Sequence, residues 1–285
     1  MVANIRWILV RRRVSTGVRH LIALAGALAM VLPLLWMISA SLQTMEQVVR
    51  YPPTWIPNPF AWENYPTALT FLPFGLYFRN TLYVTAVVIV GDLISNVLAA
   101  YGFSRYRFPA RDLLFAVLLS TLMMPGIVRL IPTYLLFNQL HWINTFAPLM
   151  VPSFFGSPFY LFLLRQFFLG IPDDLTDAAR IDGCSELGIL WRVVLPLAKP
   201  ALATVAIFSF QASWNDFMGP MIFLTDERLR TVALGLHSFQ GLPYMSTLYN
   251  QLMAASTVMV LPVLLVFALF QRHFVQGVTL TGIRG

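Results

Sequence analysis

The sequence predicts an all-α protein that crosses a membrane several times. Of its 285 residues, 58% are hydrophobic and only 11% are charged, whereas a soluble domain carries about 25% charged residues. The mean hydropathy of the whole chain is +0.72, and several apolar runs reach the roughly 18–20 residues with which a helix crosses a bilayer. The alternation with a period of two that marks membrane barrels is absent. These observations predict a polytopic helical membrane protein.

Six apolar runs predict six transmembrane helices. The runs cover residues 21–41, 81–103, 113–137, 146–168, 201–224 and 252–271. With the N-terminus inside, fourteen of the 19 Lys and Arg residues lie in inside segments and four in outside segments. Because basic residues favour the cytoplasmic side, the sequence predicts an N-in, C-in orientation with cytoplasmic tails at 1–20 and 272–285.

The N-terminal half of the predicted topology has two further features. The run 21–41 is longer than the core of a signal peptide, and no small-residue cleavage site ends it, so we interpret it as an uncleaved first span. The outer loop 42–80 contains the segment 51–59, where four prolines and several aromatic residues favour an ordered, non-helical surface segment.

Composition also disfavours several other functions. The net charge of +7 does not indicate nucleic-acid binding, because the basic residues cluster at the edges of apolar runs, where they orient a membrane protein. The one cysteine, Cys184, excludes an internal disulfide, and the four histidines lack the spacing of metal ligands. No catalytic arrangement of side chains is legible. We therefore predict neither a metal site nor an enzyme.

The cytoplasmic loop 171–200 differs from the rest of the chain, since it holds five of the twelve acidic residues. Pro172 suits a first helical position, and Gly183 suits the end of the short helix that would follow. Ser185 suits the cap of a second, amphipathic helix, which Pro196 would end. The loop is therefore predicted to be a helix–turn–helix on the inner face of the membrane.

One face of the first predicted helix carries Leu175, Ala178, Ala179 and Asp182, which are spaced at i, i+3, i+4 and i+7. Two alanines there leave a shallow surface that a partner can approach closely. The alternative is that the alanines pack this helix against the chain's own spans. Spacing alone favours neither interpretation.

This loop resembles that of the permease family of ABC importers. The resemblance lies in Asp177-Ala178-Ala179, Asp182-Gly183 and Val194-Leu195-Pro196, with Asp177 where the family usually has Glu. It implies a type I ABC importer permease domain over residues 75–271, in which the loop 171–200 couples to an ATP-binding subunit. The coupling residues implied are Asp177, Ala178, Ala179, Asp182, Gly183 and Pro196, and tail residues Gln276 and Gly277 are also expected to contact the ATPase.

Other segments resemble the carbohydrate branch of that family, in particular the smaller maltose permease. They are Arg79-Asn80-Thr81-Leu82, Met123-Met124-Pro125, Trp214-Asn215-Asp216-Phe217 and Gln271-Arg272-His273-Phe274. The resemblance implies import of a sugar or sugar-like solute across the cytoplasmic membrane of a bacterium or archaeon. It also implies three partners besides membrane lipid: a second permease subunit, a dimer of ATP-binding subunits and an extracytoplasmic solute-binding protein.

An independent observation agrees that another subunit supplies the energy. A phosphate loop needs Gly-x-x-x-x-Gly-Lys, and the only lysine, Lys199, is not preceded by glycine. We therefore expect ATP and Mg²⁺ on partner subunits and no cofactor on this chain.

Polar residues inside predicted spans are candidates for the substrate path, because burying them in a membrane is costly. The candidates are Trp214, Asn215, Asp216, Asn96 and Asp92. The alternative is that they form polar contacts between helices. Asp92 and Arg129 have opposite charges in neighbouring predicted spans, and one hypothesis is that they form an ion pair. The alternative is that the Arg129 side chain extends to the outer membrane surface. The alternative function is a secondary transporter driven by an ion gradient, which would favour a site such as Asp92 and internal repeats that the sequence lacks.

Overall fold

A computed structural model describes residues 2–239 and 248–282, with the side chains of 16–239 and 248–271. Those residues form helices and loops and contain no strand. The helices are α1 Val2–Ser41, α2 Met45–Val48, α3 Asn64–Phe71, α4 Phe74–Arg105, α5 Arg111–Ser120, α6 Gly126–Gln139, α7 Ala147–Met150, α8 Pro158–Leu169, α9 Asp173–Ile181, α10 Glu186–Ile189, α11 Leu195–Leu197, α12 Lys199–Trp214, α13 Met218–Phe223, α14 Val232–His237 and α15 Tyr249–Gly282. The predicted all-α class is confirmed.

Within the described residues, four helical segments are long and apolar enough to cross a membrane, or up to six if each of two bent pairs counts as one span. The four are Thr16–Ser41, Phe74–Arg105, Ala147–Leu169 and Tyr249–Gln271. The second of these begins seven residues before the predicted run 81–103, so the outer loop is shorter than expected. That loop also contains α2 and α3, while its proline-rich segment 51–59 is non-helical as predicted.

The third predicted span, 113–137, is a pair of helical segments rather than one straight helix. Arg111–Met123 and Gly126–Gln139 meet at 101°. Met124, which precedes Pro125, has an extended backbone with φ −80° and ψ 118°. The residue before a proline is disfavoured in the helical region, so the helix breaks there.

The fifth predicted span, 201–224, is also interrupted. Helix α12 ends at Trp214, and α13 begins at Met218 after a break. The Asp216 carboxylate accepts the backbone N–H of Gly219 at 3.0 Å. Such a local side-chain bond competes with a continuous helix and favours a new helix start. Before α12, the segment Glu186–Leu197 meets Lys199–Trp214 at 81°.

The chain forms two compact units, Met1–Leu72 with Phe239–Met259 and Pro73–Ser238 with Val260–Gly285. In the first unit, buried Asn64 donates to the carbonyls of Ser41 and Gln43 and accepts from the Asn250 side chain at 2.9 Å. These bonds join three sequence-distant segments of that unit.

In the second unit, α8 and α12 pack on α4, and a hydrophobic cluster lies beneath the loop 171–200. The cluster includes Tyr101 of α4, Leu164 and Phe168 of α8, Ala179 of α9 and Val205 of α12. Because α9 contributes to the same cluster as α4, α8 and α12, it packs directly against these helices.

Candidate functional site

The loop 171–200 has the predicted helix–turn–helix geometry. Helix α9 starts directly after Pro172, which is its cap residue. At the other end Gly183 has a φ of +81°, and the Cys184 N–H donates to the Ala179 carbonyl at 2.9 Å. This bond pattern with a left-handed residue is a common helix ending, and glycine suits it because it has no Cβ.

The second helical segment of the loop begins as predicted at Ser185, whose hydroxyl accepts the Gly188 N–H at 3.2 Å. A π-helical turn at Leu190–Val194 separates α10 from α11, and exposed Pro196 lies in the last short helix. The polypeptide then turns into α12. The structure therefore confirms the second helix, but the helix contains a π-helical turn that the sequence did not indicate.

The predicted shallow face of α9 is divided between two environments. Ala179 is 9% exposed and packs in the hydrophobic cluster. Ala178 and Asp182 are exposed, Leu175 is 45% exposed, and Ile181 is 87% exposed. For Ala179 the structure therefore agrees with the alternative that this residue packs against the chain's own helices, here α4 and α8, while its coupling role stays a prediction. The exposed face comprises Leu175, Ala178, Ile181 and Asp182, and we call it the α9 outer face.

The rim of this face is held by an ion-pair network. The Arg180 guanidinium donates to Asp177 at 2.7 Å and to Glu186 at 2.9 Å. The hydrogen bond to Glu186 raises the pKa of Arg180 above its already high ordinary value, so the side chain stays cationic. Asp177 therefore points to the loop's own arginine, while the exposed Asp182 forms no ion pair within the described residues.

Asp92 and Asn96, predicted for the substrate path, are buried between helices. Asp92 accepts the Ser209 hydroxyl of α12 at 2.6 Å. Asn96 donates to the Asp92 carbonyl at 2.7 Å and accepts the Ser157 N–H at 2.8 Å. Arg129 is exposed and forms no ion pair with Asp92. The two polar side chains therefore join α4 to its neighbours, and the suggested pairing with Arg129 was wrong.

The segment Trp214–Asp216 places its three candidates differently. Trp214 is 1% exposed, with its ring 5.5 Å from that of Phe78 and 5.4 Å from that of Phe210. Asn215 is exposed, and Asp216 lines a cavity of about 210 Å³ together with residues that include Thr81, Val84, Ser213 and Thr231. In this conformation the tryptophan ring faces are covered by protein, while Asn215 and Asp216 remain accessible to a solute.

Two polar residues organise the start of α4 in ways that the sequence did not reveal. Asn80 donates to the carbonyls of Arg228 and Arg230 at 2.8 and 3.0 Å. The Thr81 hydroxyl accepts the Val232 N–H at 2.9 Å. Both residues belong to the segment whose resemblance was noted, but their partners lie about 150 positions away.

The remaining site predictions concern the tail and metals. The backbone of Gln276 and Gly277 belongs to α15, while the Gln276 side chain lies outside the described part of the chain. Among the described residues, no group of three or more His, Cys, Asp or Glu side chains is placed to hold a metal ion.

Among the described residues, helices long and apolar enough to cross a membrane indicate a membrane protein. Residues 93–280 match the family model described as "Binding-protein-dependent transport system inner membrane component". The match covers more than half of the chain, so the protein belongs to this family.

Curated relatives agree with this assignment. The chain is 33% identical over 264 residues to the sn-glycerol-3-phosphate transport system permease protein UgpE of Yersinia pestis bv. Antiqua (strain Antiqua), covering 90% of this chain and 94% of the relative. It is 34% identical over 260 residues to the arabinooligosaccharides transport system permease protein AraQ of Halalkalibacterium halodurans, covering 90% and 91%.

A solved structure confirms the fold. It is described as the crystal structure of a bacterial ABC transporter involved in the import of the acidic polysaccharide alginate. The TM-score is 0.82 at 24% identity, and the alignment covers 92% of this chain and 97% of the other.

Proposed function

We propose that this chain is the membrane-spanning permease subunit of an ATP-driven importer that moves a sugar or sugar-like solute into the cell. Family membership supports transport, and the named solutes of two relatives, sn-glycerol-3-phosphate and arabinooligosaccharides, support a polyhydroxylated solute. The observation that carries the ATP-driven part is the α9 outer face, a small and apolar surface on a braced helix outside the long apolar spans.

The proposed mechanism is alternating access driven by a separate ATPase dimer. The α9 outer face seats in a cleft of one ATP-binding subunit, where exposed Ala178 permits close approach and Ile181 and Leu175 bury apolar surface. Asp182 supplies the carboxylate of this face, and Gly183 follows it directly in the chain. When ATP closes the dimer, the loop is displaced and the helices packed on it change arrangement. ATP and Mg²⁺ act on the partner, and this chain transmits the motion.

The complete assembly contains a second permease subunit and an extracytoplasmic solute-binding protein. The proposed topology has six spans, in which the bent pair Arg111–Met123 and Gly126–Gln139 forms the third and Lys199–Trp214 begins the fifth, while Glu186–Leu197 stays in the cytoplasmic loop 171–200. Both termini lie in the cytoplasm of a bacterium or archaeon. Many large apolar side chains on α5 and α6 are exposed on the isolated chain, including Leu113, Val117, Ile127 and Ile131. Lipid and the second permease would cover such surfaces.

Within the solute path we propose that Asn215 and Asp216 contact substrate. Asp216, in the break between α12 and α13, lines the cavity of about 210 Å³, and both side chains carry groups that bond to hydroxyls. Trp214 packs on Phe78 and Phe210 and thereby fixes the end of α12 that precedes Asn215 and Asp216. Asp92 and Asn96 hold α4 in place rather than touching solute.

Reconstitution tests the proposal. The full complex, with its ATPase, second permease and binding protein, is placed in proteoliposomes, and radiolabelled solute uptake is measured with ATP present, absent, or replaced by a non-hydrolysable analogue. We expect uptake only with hydrolysable ATP and no change when ionophores collapse ion gradients. Uptake by this chain without ATP, abolished by the ionophore, would refute it.

A further inference from the structure

The cytoplasmic end of α4 holds the coupling helix α9 at both of its ends. Tyr101 and Arg105 are four residues apart on α4 and therefore lie on the same helical face. Arg105 contacts the start of α9. Tyr101 contacts Glu186, which is paired with Arg180 in the last turn of α9. Of the long helices in the second unit, α4 is also the one on which α8 and α12 both pack.

At the first end, the Arg105 guanidinium bonds the carboxylate of Asp173, the first residue of α9. It also donates to the carbonyls of Phe168 and Ile171 at 2.9 Å each. The Arg105 side chain is only 6% exposed, whereas that of Asp173 is 80% exposed. One buried cation therefore joins α4, the end of α8 and the start of α9.

At the second end, the Tyr101 hydroxyl donates to the Glu186 carboxylate at 3.0 Å. Glu186 also accepts from Arg180 of α9 at 2.9 Å. Tyr101 is 4% exposed, and its ring belongs to the hydrophobic cluster. The chain Tyr101–Glu186–Arg180 thus ties the last turn of α9 to the same face of α4.

A reciprocal contact joins α4 and α8. Arg165 of α8 donates to the Phe103 carbonyl near the end of α4 at 3.2 Å, while Arg105 of α4 donates to the Phe168 carbonyl near the end of α8. Arg165 also lies over the Phe115 ring at 4.2 Å. Cations at helix C-termini are favourable, so each helix caps the other and their cytoplasmic ends are held together.

From these contacts we infer that Arg105 is the positioning residue through which movement of the coupling helix reaches α4 and α8. A displacement of α9 pulls on Arg105 through Asp173, and Arg105 is fixed to both long helices. The inference rests on the proposed function, because it assigns the route by which ATPase movement enters the spans. Cutting the Arg105–Asp173 link should leave the ATPase docked while less of its motion reaches the solute path.

The decisive variant is Asp173→Asn, since Asp173 is exposed and its removal leaves the Arg105 bonds to both carbonyls in place. Asp174→Asn is the matched control, because Asp174 is the neighbouring exposed carboxylate in the same first turn and forms no ion pair among the described residues. Both substitutions remove one negative charge from the same helix start. Asp173→Glu keeps the carboxylate and serves as the conservative rescue.

The measurement is solute imported per ATP hydrolysed by the reconstituted full complex, together with co-purification of the ATPase. We expect Asp173→Asn to lower this ratio about two- to fivefold, the scale of an ion pair with one solvent-exposed partner, with ATPase retention unchanged. Asp174→Asn should retain the wild-type ratio, and Asp173→Glu should recover most of it. Arg105→Gln combined with Asp173→Asn should lose no more than Arg105→Gln alone, because both cut one route.

Several outcomes would overturn the inference. They are a wild-type ratio in Asp173→Asn, an equal loss in Asp174→Asn, no recovery in Asp173→Glu, or a double variant whose losses multiply. The wild-type complex separates this inference from the proposed function. If wild-type uptake does not require ATP, the proposed function fails. If wild-type uptake is ATP-driven and Asp173→Asn stays fully coupled, only the role of Arg105 fails.

Discussion

Replacing Gly183 with valine is expected to uncouple ATP hydrolysis from transport while leaving the chain in the membrane. Gly183 has a φ of +81° and ends the coupling helix. A Cβ built at this position meets no atom within 4 Å. Steric bulk therefore does not obstruct the substitution within this chain, and the backbone conformation is the reason for the effect.

The magnitude follows from that conformation. A left-handed backbone costs a non-glycine residue roughly 1–2 kcal/mol, and the cost is larger for a β-branched residue. One or two kcal/mol changes a local equilibrium by a factor of about 5–30. Gly183→Ala should therefore disrupt the left-handed ending of α9 in a substantial fraction of molecules. Gly183→Val should disrupt it in a larger fraction. The bond from the Cys184 N–H to the Ala179 carbonyl, 2.9 Å long here, would weaken accordingly.

Gly183→Asn is the matched control, because asparagine adopts the left-handed region far more readily than valine. Solute uptake and ATP hydrolysis are measured on reconstituted complexes, and membrane abundance is checked by immunoblot. We expect coupling to fall in the order Gly, Asn, Ala, Val. Normal coupling in Gly183→Val would refute the argument. An Asn variant as impaired as the Val variant would show that side-chain bulk at the partner surface matters instead.

Three further substitutions test the buried polar and aromatic contacts. Asp92→Asn should keep assembly and ATP-driven uptake, since an amide still bonds the Ser209 hydroxyl; abolished uptake with intact assembly would favour an ion-coupled site. Trp214→Ala should destabilise the detergent-solubilised complex by about 3–5 kcal/mol because the ring is fully packed. Asn215→Ala should leave thermal unfolding unchanged. Equal effects of the two substitutions would contradict the packing role of Trp214. Asn80→Ala leaves two loop carbonyls without their side-chain donor and should cost about 1–3 kcal/mol in the same unfolding assay, and an unchanged midpoint would show that water replaces the amide.

Local features of the coupling loop could be predicted because the rules that govern them act over a few residues. Gly183 and Ser185 each specify a helix boundary through their own backbone or hydroxyl group, and both boundaries are confirmed. Pro172 lies one residue earlier than predicted, since it is the cap of α9 and not its first residue. The break at Pro125 follows from an equally local rule, although the size of the 101° bend does not.

Partners at long range could not be predicted in the same way. The sequence offered Arg129 as a counterion for Asp92, but the partner is Ser209, 117 positions away. Trp214 has the chemistry of a sugar contact, yet its neighbours Phe78 and Phe210 cover it. Which side chains come into contact depends on the rotation of each helix about its axis relative to its neighbours. The periodicity of apolar residues in the sequence does not specify that rotation.

Composition and apolar run lengths alone determined that this is a helical membrane protein, because the cost of placing polar groups in a bilayer depends on residue type and not on neighbours. The loop sequence alone predicted the short helix α9, which the structure confirms. Only the tertiary structure decided that Ala179 faces inward and Ala178 outward, and that Tyr101 and Arg105 of α4 hold the two ends of α9. The physical reason is that these contacts join segments whose distance in space is set by packing of α4 against α8 and α12.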